Sequence, residues 1–484
     1  MRRSDDAAGA APRPGPAGAG SPVRGQYVTM MQHPEHLRAR LREALGAGPP
    51  RPHPGLAPLG HPSPACGRGA GGEGRWPQAG VEVDRPTGEE EVHHVLPGFW
   101  QDTPVGRVFV VERRFALEHR HGRLPLGQVL QMPPTLWARI GRTPALAEAD
   151  PRRVVFLDTE TTGLAGGTGT IAFLVGIGHF LDGHFRLRQY FLPTVEQERA
   201  MLRALADYLD GFQAVVSFNG KAFDLPLLEA RLVLARMPRD LAALPHLDLL
   251  HPARRLYGDR LASCRLTELE QHLLGLTRVD DVPGWEVPAL YFRYMRTRRF
   301  RALLPVFEHN ATDVLSLVAL TAHLASVLAG EARLTGADRL ALGRVCEAEG
   351  RSEEAIMHYR QALAQELRPV ERQECEQRLS LLLKRLGRWR EAAALWQEVA
   401  ARPDNRLLYP LVELAKYHER VTGDLAAARA LTERALLLLE GHHARIGFRG
   451  LAAEREALTK RLTRLEGRMA RARLKSEQRK RTPA

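Results

Sequence analysis

Hydrophobic and polar positions between residues 152 and 330 follow a pattern typical of a mixed sheet with helices. "RRVVFLDTE" begins this region, and "GTIAFLVGIGHF" and "HFRLRQYFLP" follow as two more strand-like segments. Three such segments with short connections predict an antiparallel meander. "VEQERAMLRALADYLDGF" then has helical spacing, and "QAVVSFNG" is an apolar run short enough for a buried strand. The predicted fold class is therefore α/β, a mixed sheet flanked by helices.

After Gly330 the apolar spacing is helical almost throughout, and one pattern recurs. Gly350, Gly387 and Gly423 are 37 and 36 residues apart, and an alanine follows each of them five positions later. A turn and helix repeated at this spacing resembles the tetratricopeptide repeat, whose period is near 34 residues. An ordinary antiparallel helical bundle is the alternative. The resemblance implies an all-α repeat domain that binds a protein partner.

Composition suggests how the remaining chain is organised. Residues 1–80 are rich in Gly, Pro and Ala and cannot bury enough apolar surface to fold, which predicts a disordered tail. Residues 81–150 contain a strand-like alternation and a short helix, and we expect this extension to pack on the α/β domain at 151–330. The helical repeats are predicted at 331–441. Residues 442–484 form a basic tail, either helical or disordered.

The charge of the chain favours a polyanionic partner. Its 484 residues carry a net charge of +13, and phosphate neutralisation is a common use of such an excess. No apolar run approaches the roughly 20 residues of a membrane helix, and the N-terminus lacks the apolar core of a signal peptide. We therefore expect a cytoplasmic protein without membrane contact. Its four scattered cysteines predict neither a zinc site nor a disulfide framework.

Two carboxylates in "FLDTETTGL" are the first candidates for chemistry. Strand side chains alternate, so Asp158 and Glu160 leave the same face of a strand beginning at Val154. At about 5 to 7 Å and an effective dielectric near 20, they would repel by roughly 2 to 3 kcal/mol. A bound cation would remove this repulsion. The alternative is a strand that ends at Leu157, with an exposed turn after it.

More oxygen ligands must converge if a cation is bound, because Mg²⁺ prefers six. "VVSFNGKAFDLPLL" places Asp224 at the start of a helix just after a buried strand. "VFEHNATDVLSLVAL" places His309 and Asp313 four residues apart, on one face of a helix. Each has a structural alternative, since Asp224 would suit a helix N-cap and His309 with Asp313 a surface pair.

Together these motifs resemble the DEDD exonuclease superfamily, which has the ribonuclease H-like fold. "DTETTGL" is similar to its first motif, "SFNGKAFDLPLL" to its second and "HNATD" to its third. "LDLLHPARRLYG" and "LTELEQHLLGLTRVDDVPGWEVPALYF" further resemble the bacterial YprB-like branch. The likeness covers roughly residues 90 to 325.

The resemblance implies hydrolysis of phosphodiester bonds in single-stranded RNA or DNA with two Mg²⁺ or Mn²⁺ ions. It implies that Asp158 bridges the two ions, Glu160 and Asp313 complete one site, and Asp224 helps to hold the other. His309 would accept the proton of the attacking water. Four carboxylates and two divalent ions sum to a neutral site.

One spacing departs from the family pattern. The branch that uses histidine places it five residues before the last aspartate, whereas His309 lies four before Asp313, the spacing of the tyrosine branch. Two rival functions are a non-catalytic adaptor that binds nucleic acid or protein, and a structure-specific endonuclease. Among the other acids, Asp248 is expected to cap a helix, with a supporting role near the site as the alternative, and Asp280 and Asp281 are expected to solvate a loop.

Overall fold

A computed structural model describes Val92 and residues 95–163, 169–403, 406–446 and 452–481; the tail predicted at residues 1–80 lies outside them. Seven of the described strands form one sheet in the order β1-β2-β7-β6-β5-β8-β9, and β3 pairs with β4. The strands are β1 (Phe99–Thr103), β2 (Gly106–Ala116), β3 (Arg120–His121), β4 (Leu124–Pro125), β5 (Val154–Thr161), β6 (Ala172–Leu181), β7 (His184–Phe191), β8 (Ala214–Ser217) and β9 (His246–Asp248).

The sheet is antiparallel on one side of β5 and parallel on the other. Strands β5, β6 and β7 form the predicted meander, while β8 and β9 run parallel to β5. Strand β2 pairs with β7 and β1 with β2, so the extension before residue 150 supplies two strands of the same sheet, with β1 at its edge. The carboxyl ends of β5, β8 and β9 therefore meet at one edge, where α/β sheets commonly bind ligands.

Helices cover both faces of the sheet. The helices of this region are α1 (Pro134–Gly141), α2 (Glu198–Leu209), α3 (Asp224–Leu234), α4 (Leu250–Tyr257), α5 (Leu266–Leu269), α6 (Val287–Thr297) and α7 (Leu304–Ala329). Phe156 points to the core shared with α1 and α7, whereas Val155 and Leu157 point to the core shared with α2, α3 and α6. Because β5 contributes buried side chains to both cores, it is the central strand that fixes the position of its own carboxyl end.

Helix α7 lies unusually close to β6, because β6 presents glycines to it. A Cβ at Gly176 would lie 2.3 Å from Asn310 Oδ1, and one at Gly178 would lie 2.7 Å from Val314 Cγ1. By length and composition this helix could cross a membrane, a property not expected from the sequence. However, 78% of its apolar window is buried inside the protein, as in the core helix of a globular domain. The close approach brings residues of α7 to the end of β5.

The C-terminal region is helical and shares its hydrophobic core with the α1 and α7 side of the sheet. Gly350, Gly387 and Gly423 each separate two helices and have φ angles of 74°, 74° and 73°, which glycine adopts without strain. This arrangement is consistent with helical repeats. The helices are α8 (Gly336–Ala348), α9 (Ser352–Leu363), α10 (Pro369–Arg385), α11 (Trp389–Ala401), α12 (Leu408–Tyr417), α13 (Leu425–Ile446) and α14 (Ala452–Arg481). The mixed sheet and the helical C-terminal region confirm the predicted fold class.

Candidate active site

The carboxyl end of β5 carries the two acids predicted to share a face. Asp158 and Glu160 follow four fully buried residues of the same strand and point toward α7. The Asn310 side chain donates a hydrogen bond from Nδ2 to Asp158 Oδ2 at 2.8 Å. Gln189 donates in turn to Asn310 Oδ1 at 3.0 Å, so the amide orientation is fixed from β7, two strands away from β5. Strand β5 therefore continues past Leu157 and holds both acids in place.

Helix α7 brings His309 and Asp313 to the same place. His309 Nε2 lies 3.6 Å from Asp313 Oδ2 and 4.0 Å from Glu160 Oε1. One ligand atom from each of these three residues lies within 4.8 Å of the others, a separation that one metal ion could span. The His309 and Asp313 side chains are only 12% and 15% exposed, so they are not a surface pair. The four-residue spacing thus does not prevent the imidazole from reaching the acids.

Asp224 approaches the end of β5 from the opposite face of the sheet. Thr159 Oγ1 donates to Asp224 Oδ1 at 2.5 Å. Asp224 is the first residue of α3, and Phe223 occupies the N-cap position. The preceding turn requires Gly220, since a Cβ there would lie 2.3 Å from Ser217 Oγ and 3.2 Å from Asp224 Oδ2. The charge of Asp224 adds to the rise in the pKa of Asp158, and both residues lie outside the group formed by Glu160, His309 and Asp313.

Asp248, at the end of β9, holds the loop that carries Asp224. Its Oδ1 accepts hydrogen bonds from the amides of Asn219 at 2.7 Å and Leu250 at 3.1 Å. Its Oδ2 accepts one from the Lys221 amide at 3.2 Å. Asn219 has a φ of 66°, a conformation that asparagine tolerates better than most residues. Leu249, and not Asp248, occupies the N-cap position of α4. Asp248 accepts from the first amide of that helix and positions the turn between β8 and α3.

Burial and mutual repulsion raise the pKa values of the acids. Desolvation, then the charges of Asp313 and Glu160, raise the pKa of Asp158 well above its usual value. Desolvation raises the pKa of Glu160 to about 8, against an opposing effect of His309, and that of Asp224 to about 6. Desolvation lowers the pKa of His309, but Asp313 and Glu160 outweigh it and leave that pKa raised. Without a metal ion, the site therefore holds protons near neutral pH.

A loop before α6 adds charged residues that were not predicted for the site. Asp281 Oδ1 lies 2.7 Å from His309 Nδ1, and Arg278 Nη1 lies 3.1 Å from Asp281 Oδ2. The Arg278 guanidinium also bonds to Asp313 and, through Nε at 2.7 Å, to the fully buried Glu270. Asp281 thus contacts the predicted base instead of only solvating a loop. The single sequence signal was the acidic pair that precedes Pro283 and Gly284, which also suits a plain turn.

The donor set fits hard divalent cations. Among the described residues, the cluster contains one guanidinium, from Arg278, and one imidazole, from His309. Six carboxyl groups surround these two: Asp158, Glu160, Asp224, Glu270, Asp281 and Asp313. Carboxylate oxygens are preferred ligands of Mg²⁺ and Mn²⁺. The raised pKa values are the expected cost of such a cluster when no cation compensates it. Glu160, His309 and Asp313 are therefore suited to hold a metal ion, and Asp158 and Asp224 lie outside that group.

Comparison with known proteins agrees with this geometry. The sequence profile of the RNase H superfamily matches residues 155–325, which span β5 to α7. The chain is also 31% identical over 332 residues to the uncharacterized protein YprB of Bacillus subtilis (strain 168). That alignment covers 67% of this chain and 79% of YprB. With the acidic residues of β5 and α7 gathered at one edge of a mixed sheet, the chain belongs to the RNase H superfamily and to the same family as YprB.

Proposed function

We propose that this protein is a metal-dependent 3′-5′ exonuclease of the DEDD type, which hydrolyses phosphodiester bonds with two Mg²⁺ or Mn²⁺ ions. One observation carries the proposal: Glu160 of β5 and Asp313 of α7, 153 residues apart, converge with His309 within 4.8 Å. A domain that only binds nucleic acid gains nothing from gathering negative charge where phosphates would lie. Buried carboxylates at this density are instead the arrangement that bound cations make tolerable.

Glu160 and Asp313 would hold one ion, Asp224 would help to hold the other, and Asp158 would contribute to both. When bound, divalent ions supply positive charge that offsets the negative charge developing on the phosphoryl oxygens. Asn310 keeps Asp158 oriented through the 2.8 Å hydrogen bond to Oδ2. Thr159 does the same for Asp224 from the other face of the sheet.

His309 would take the proton of the attacking water. Its Nδ1 lies 2.7 Å from Asp281 Oδ1 and 3.2 Å from Arg278 Nη1. The shorter contact with the carboxylate favours a proton on Nδ1, which leaves the lone pair of neutral imidazole on Nε2. That nitrogen faces Glu160 and Asp313, where the water would lie. Asp281 also stabilises the imidazolium that forms when the proton arrives.

Single-stranded RNA or DNA is the proposed substrate, and the net charge of +13 supports a polyanion. The C-terminal helices would act as tetratricopeptide-like repeats that bind a protein partner. A cytoplasmic location is part of the same proposal.

The decisive experiment incubates the full chain with end-labelled single-stranded RNA and DNA, in Mn²⁺ or in EDTA. An exonuclease gives a ladder of products only with Mn²⁺, and 3′ and 5′ labels distinguish the direction. We expect Asp158→Asn to abolish cleavage while leaving the metal-free melting temperature equal or higher. Asp207→Asn, which changes an exposed acid on α2, is the matched control. An Asp158→Asn protein as active as wild type would contradict the proposal.

A non-catalytic adaptor is the alternative, and the contact between Arg278 and Asp313 favours it. The guanidinium already neutralises part of the acidic cluster without any metal. An adaptor that only binds nucleic acid or protein would leave both the RNA and the DNA intact in the same assay. A single internal cut would instead indicate a structure-specific endonuclease on the same acidic residues.

A further inference from the structure

We infer that the outer face of α6 is the path along which single-stranded nucleic acid enters the acidic site, an inference that rests on the proposed function. One face of this helix exposes Ala289, Phe292, Arg293 and Arg296, and Trp285 is exposed in the loop just before it; the exposed Asp280 and Asp281 lie earlier in that loop and Thr297 at the end of the helix. Within the helix, Ala289 lies three and four residues before Phe292 and Arg293, and Arg296 lies four and three residues after them, so these positions share one face. With Trp285 they are called the stripe. The stripe combines two aromatic rings with two guanidinium groups and contains no acid.

The aromatic residues of this stripe are exposed to an unusual degree. Trp285 is 73% exposed and Phe292 is 47% exposed, although large aromatic side chains are normally buried. Exposed aromatic rings beside a basic groove are the common means by which proteins stack unpaired bases, at a strength that depends little on sequence. A base-paired duplex keeps its bases stacked on one another, so it offers them no equivalent surface.

The guanidinium groups of the stripe are available for phosphates. Neither Arg293 nor Arg296 has a carboxylate oxygen within 4.0 Å in the part of the chain that the structure describes. Most other exposed arginines in the helical region, such as Arg351 and Arg360, are paired with glutamates. The stripe is therefore complementary in charge to a phosphate backbone and in shape to its unpaired bases.

The opposite face of α6 holds the stripe rigidly. Tyr291 stacks on Phe173 with ring centroids 4.0 Å apart and planes 8° from parallel, and its hydroxyl donates to the Leu192 carbonyl at 3.0 Å. Arg298, just after the helix, donates to the Pro193 carbonyl at 3.0 Å. A binding surface that is already ordered loses little conformational entropy when the ligand binds.

The stripe begins beside the acidic cluster. Trp285 follows Asp281 by four residues, which limits their Cα separation to roughly 14 Å, and Asp281 contacts His309. Helix α6 extends from there for about 16 Å, enough for a few nucleotides. A strand stacked on Trp285 and Phe292 would therefore deliver its end toward Glu160, His309 and Asp313.

Binding is tested by fluorescence anisotropy in EDTA, so that cleavage does not contribute. The probes are labelled oligonucleotides of mixed sequence, one of single-stranded RNA and one of single-stranded DNA. The affinity for each is compared with that for the corresponding duplex. We expect Trp285→Ala with Phe292→Ala to weaken single-strand binding about tenfold or more and to change duplex binding little. Phe99→Ala, which removes a ring that is 40% exposed on β1, is the matched control.

The arginines are tested by the salt dependence of the same binding. Each phosphate contact contributes about 0.7 to the slope of log affinity against log salt for single strands. Arg293→Gln with Arg296→Gln should therefore flatten the slope by about 1.4, whereas Arg351→Gln with Arg360→Gln removes the same charge elsewhere and should leave it unchanged. Circular dichroism and the melting temperature verify that all variants fold.

The outcomes separate this inference from the proposed function. Stripe variants that bind single strands as well as wild type overturn the inference, even if the wild-type protein is a nuclease. Equal loss of duplex binding also overturns it, as does a wild-type protein that binds no nucleic acid at low salt. Conversely, loss of single-strand binding supports the inference even when Asp158→Asn and wild type are equally inert, the result that would reject the nuclease.

Discussion

Asp281 Oδ1 lies 2.7 Å from His309 Nδ1, and this contact determines which imidazole nitrogen faces the acids of β5 and α7. The other nitrogen, Nε2, lies 3.6 Å from Asp313 and 4.0 Å from Glu160. A carboxylate behind a histidine commonly fixes the tautomer and orientation of the ring. Although the proposed base stands four residues before Asp313, Asp281 can therefore keep it aimed at the site.

Replacing Asp281 with asparagine should lower the rate of cleavage by about 10- to 100-fold. The asparagine amide can donate to Nδ1 and so place the ring proton on Nε2. A protonated Nε2 cannot accept a proton from water. Mn²⁺ affinity should change little, because Asp281 is not among the proposed ligands. Single-turnover cleavage rates and Mn²⁺ titrations measure the two effects separately.

Asp280→Asn is the matched control, since Asp280 is the exposed neighbour and has a φ of 55°, which asparagine also tolerates. A rate for Asp281→Asn equal to that of Asp280→Asn would show that the contact has no role in catalysis.

His309→Asn should distinguish a base from a metal ligand. If His309 is the base, cleavage falls by about 10²- to 10⁴-fold while Mn²⁺ affinity stays within about threefold. We expect this result, because imidazole prefers Zn²⁺ or Ni²⁺, whereas carboxylates suit Mg²⁺ and Mn²⁺. Mn²⁺ binding is followed by the thermal shift of the inactive variant. A tenfold loss of affinity would instead place His309 in the coordination shell.

Arg278→Gln should destabilise the metal-free protein and strengthen metal binding. The Arg278 side chain is 9% exposed and its partners Glu270 and Asp313 are 0% and 15% exposed, so its loss leaves buried carboxylates without their cation. We expect the free energy of unfolding without metal to fall by roughly 2 to 4 kcal/mol. Mn²⁺ should then stabilise the variant more than wild type, because Asp313 no longer shares its oxygen with the guanidinium.

Chemical denaturation with and without Mn²⁺ tests both effects, with Arg299→Gln, an exposed arginine after α6, as control. A variant that binds Mn²⁺ more weakly than wild type would mean that Arg278 supports the metal site rather than competing with it.

Residues of the site could be predicted where one element determines their spacing. The alternation of a strand puts Asp158 beside Glu160, and one helical turn puts His309 beside Asp313. Arg278 and Asp281 lie 35 and 28 residues from the α7 side chains that they contact, and they occupy a loop without periodicity. Such contacts depend on how the loop packs against α7, which no local pattern encodes.

The same distinction holds for the fold. The three strands of the meander follow one another closely and alternate clearly, so their pairing could be predicted. Strand β2 pairs instead with β7, where Glu112 and Arg188 form an ion pair across 76 residues. Gly176 had no predicted role, yet its missing side chain is what lets Asn310 reach Asp158. Its importance depends on α7 crossing β6, a relation between distant elements.

The raised pKa of Glu160 predicts how the stability of the metal-free protein depends on pH. Desolvation raises this pKa from 4.5 to about 8. Between these values the unfolded chain releases the proton that the folded protein retains, so folding loses stability as the pH rises through this range. Below pH 4.5 both states are protonated and no stability is lost. Glu160→Gln removes this contribution to the pH dependence. Between pH 5 and pH 8 the free energy of unfolding of the variant should therefore rise by a few kcal/mol relative to that of wild type.

Chemical denaturation in EDTA at several pH values measures this difference. Glu308→Gln is the control, because Glu308 is on the same helix as His309 but has a side chain that is 65% exposed. Its free energy of unfolding should change with pH in the same way as that of wild type. Mn²⁺ should restore most of the stability that the wild-type protein loses as the pH rises, since the ion replaces the protons and binds more tightly at higher pH. If the stability difference between Glu160→Gln and wild type were constant with pH, Glu160 would already be ionised in the metal-free protein. The acids of β5 would then be stable as anions without a cation, and the proposed metal site would lose its physical basis.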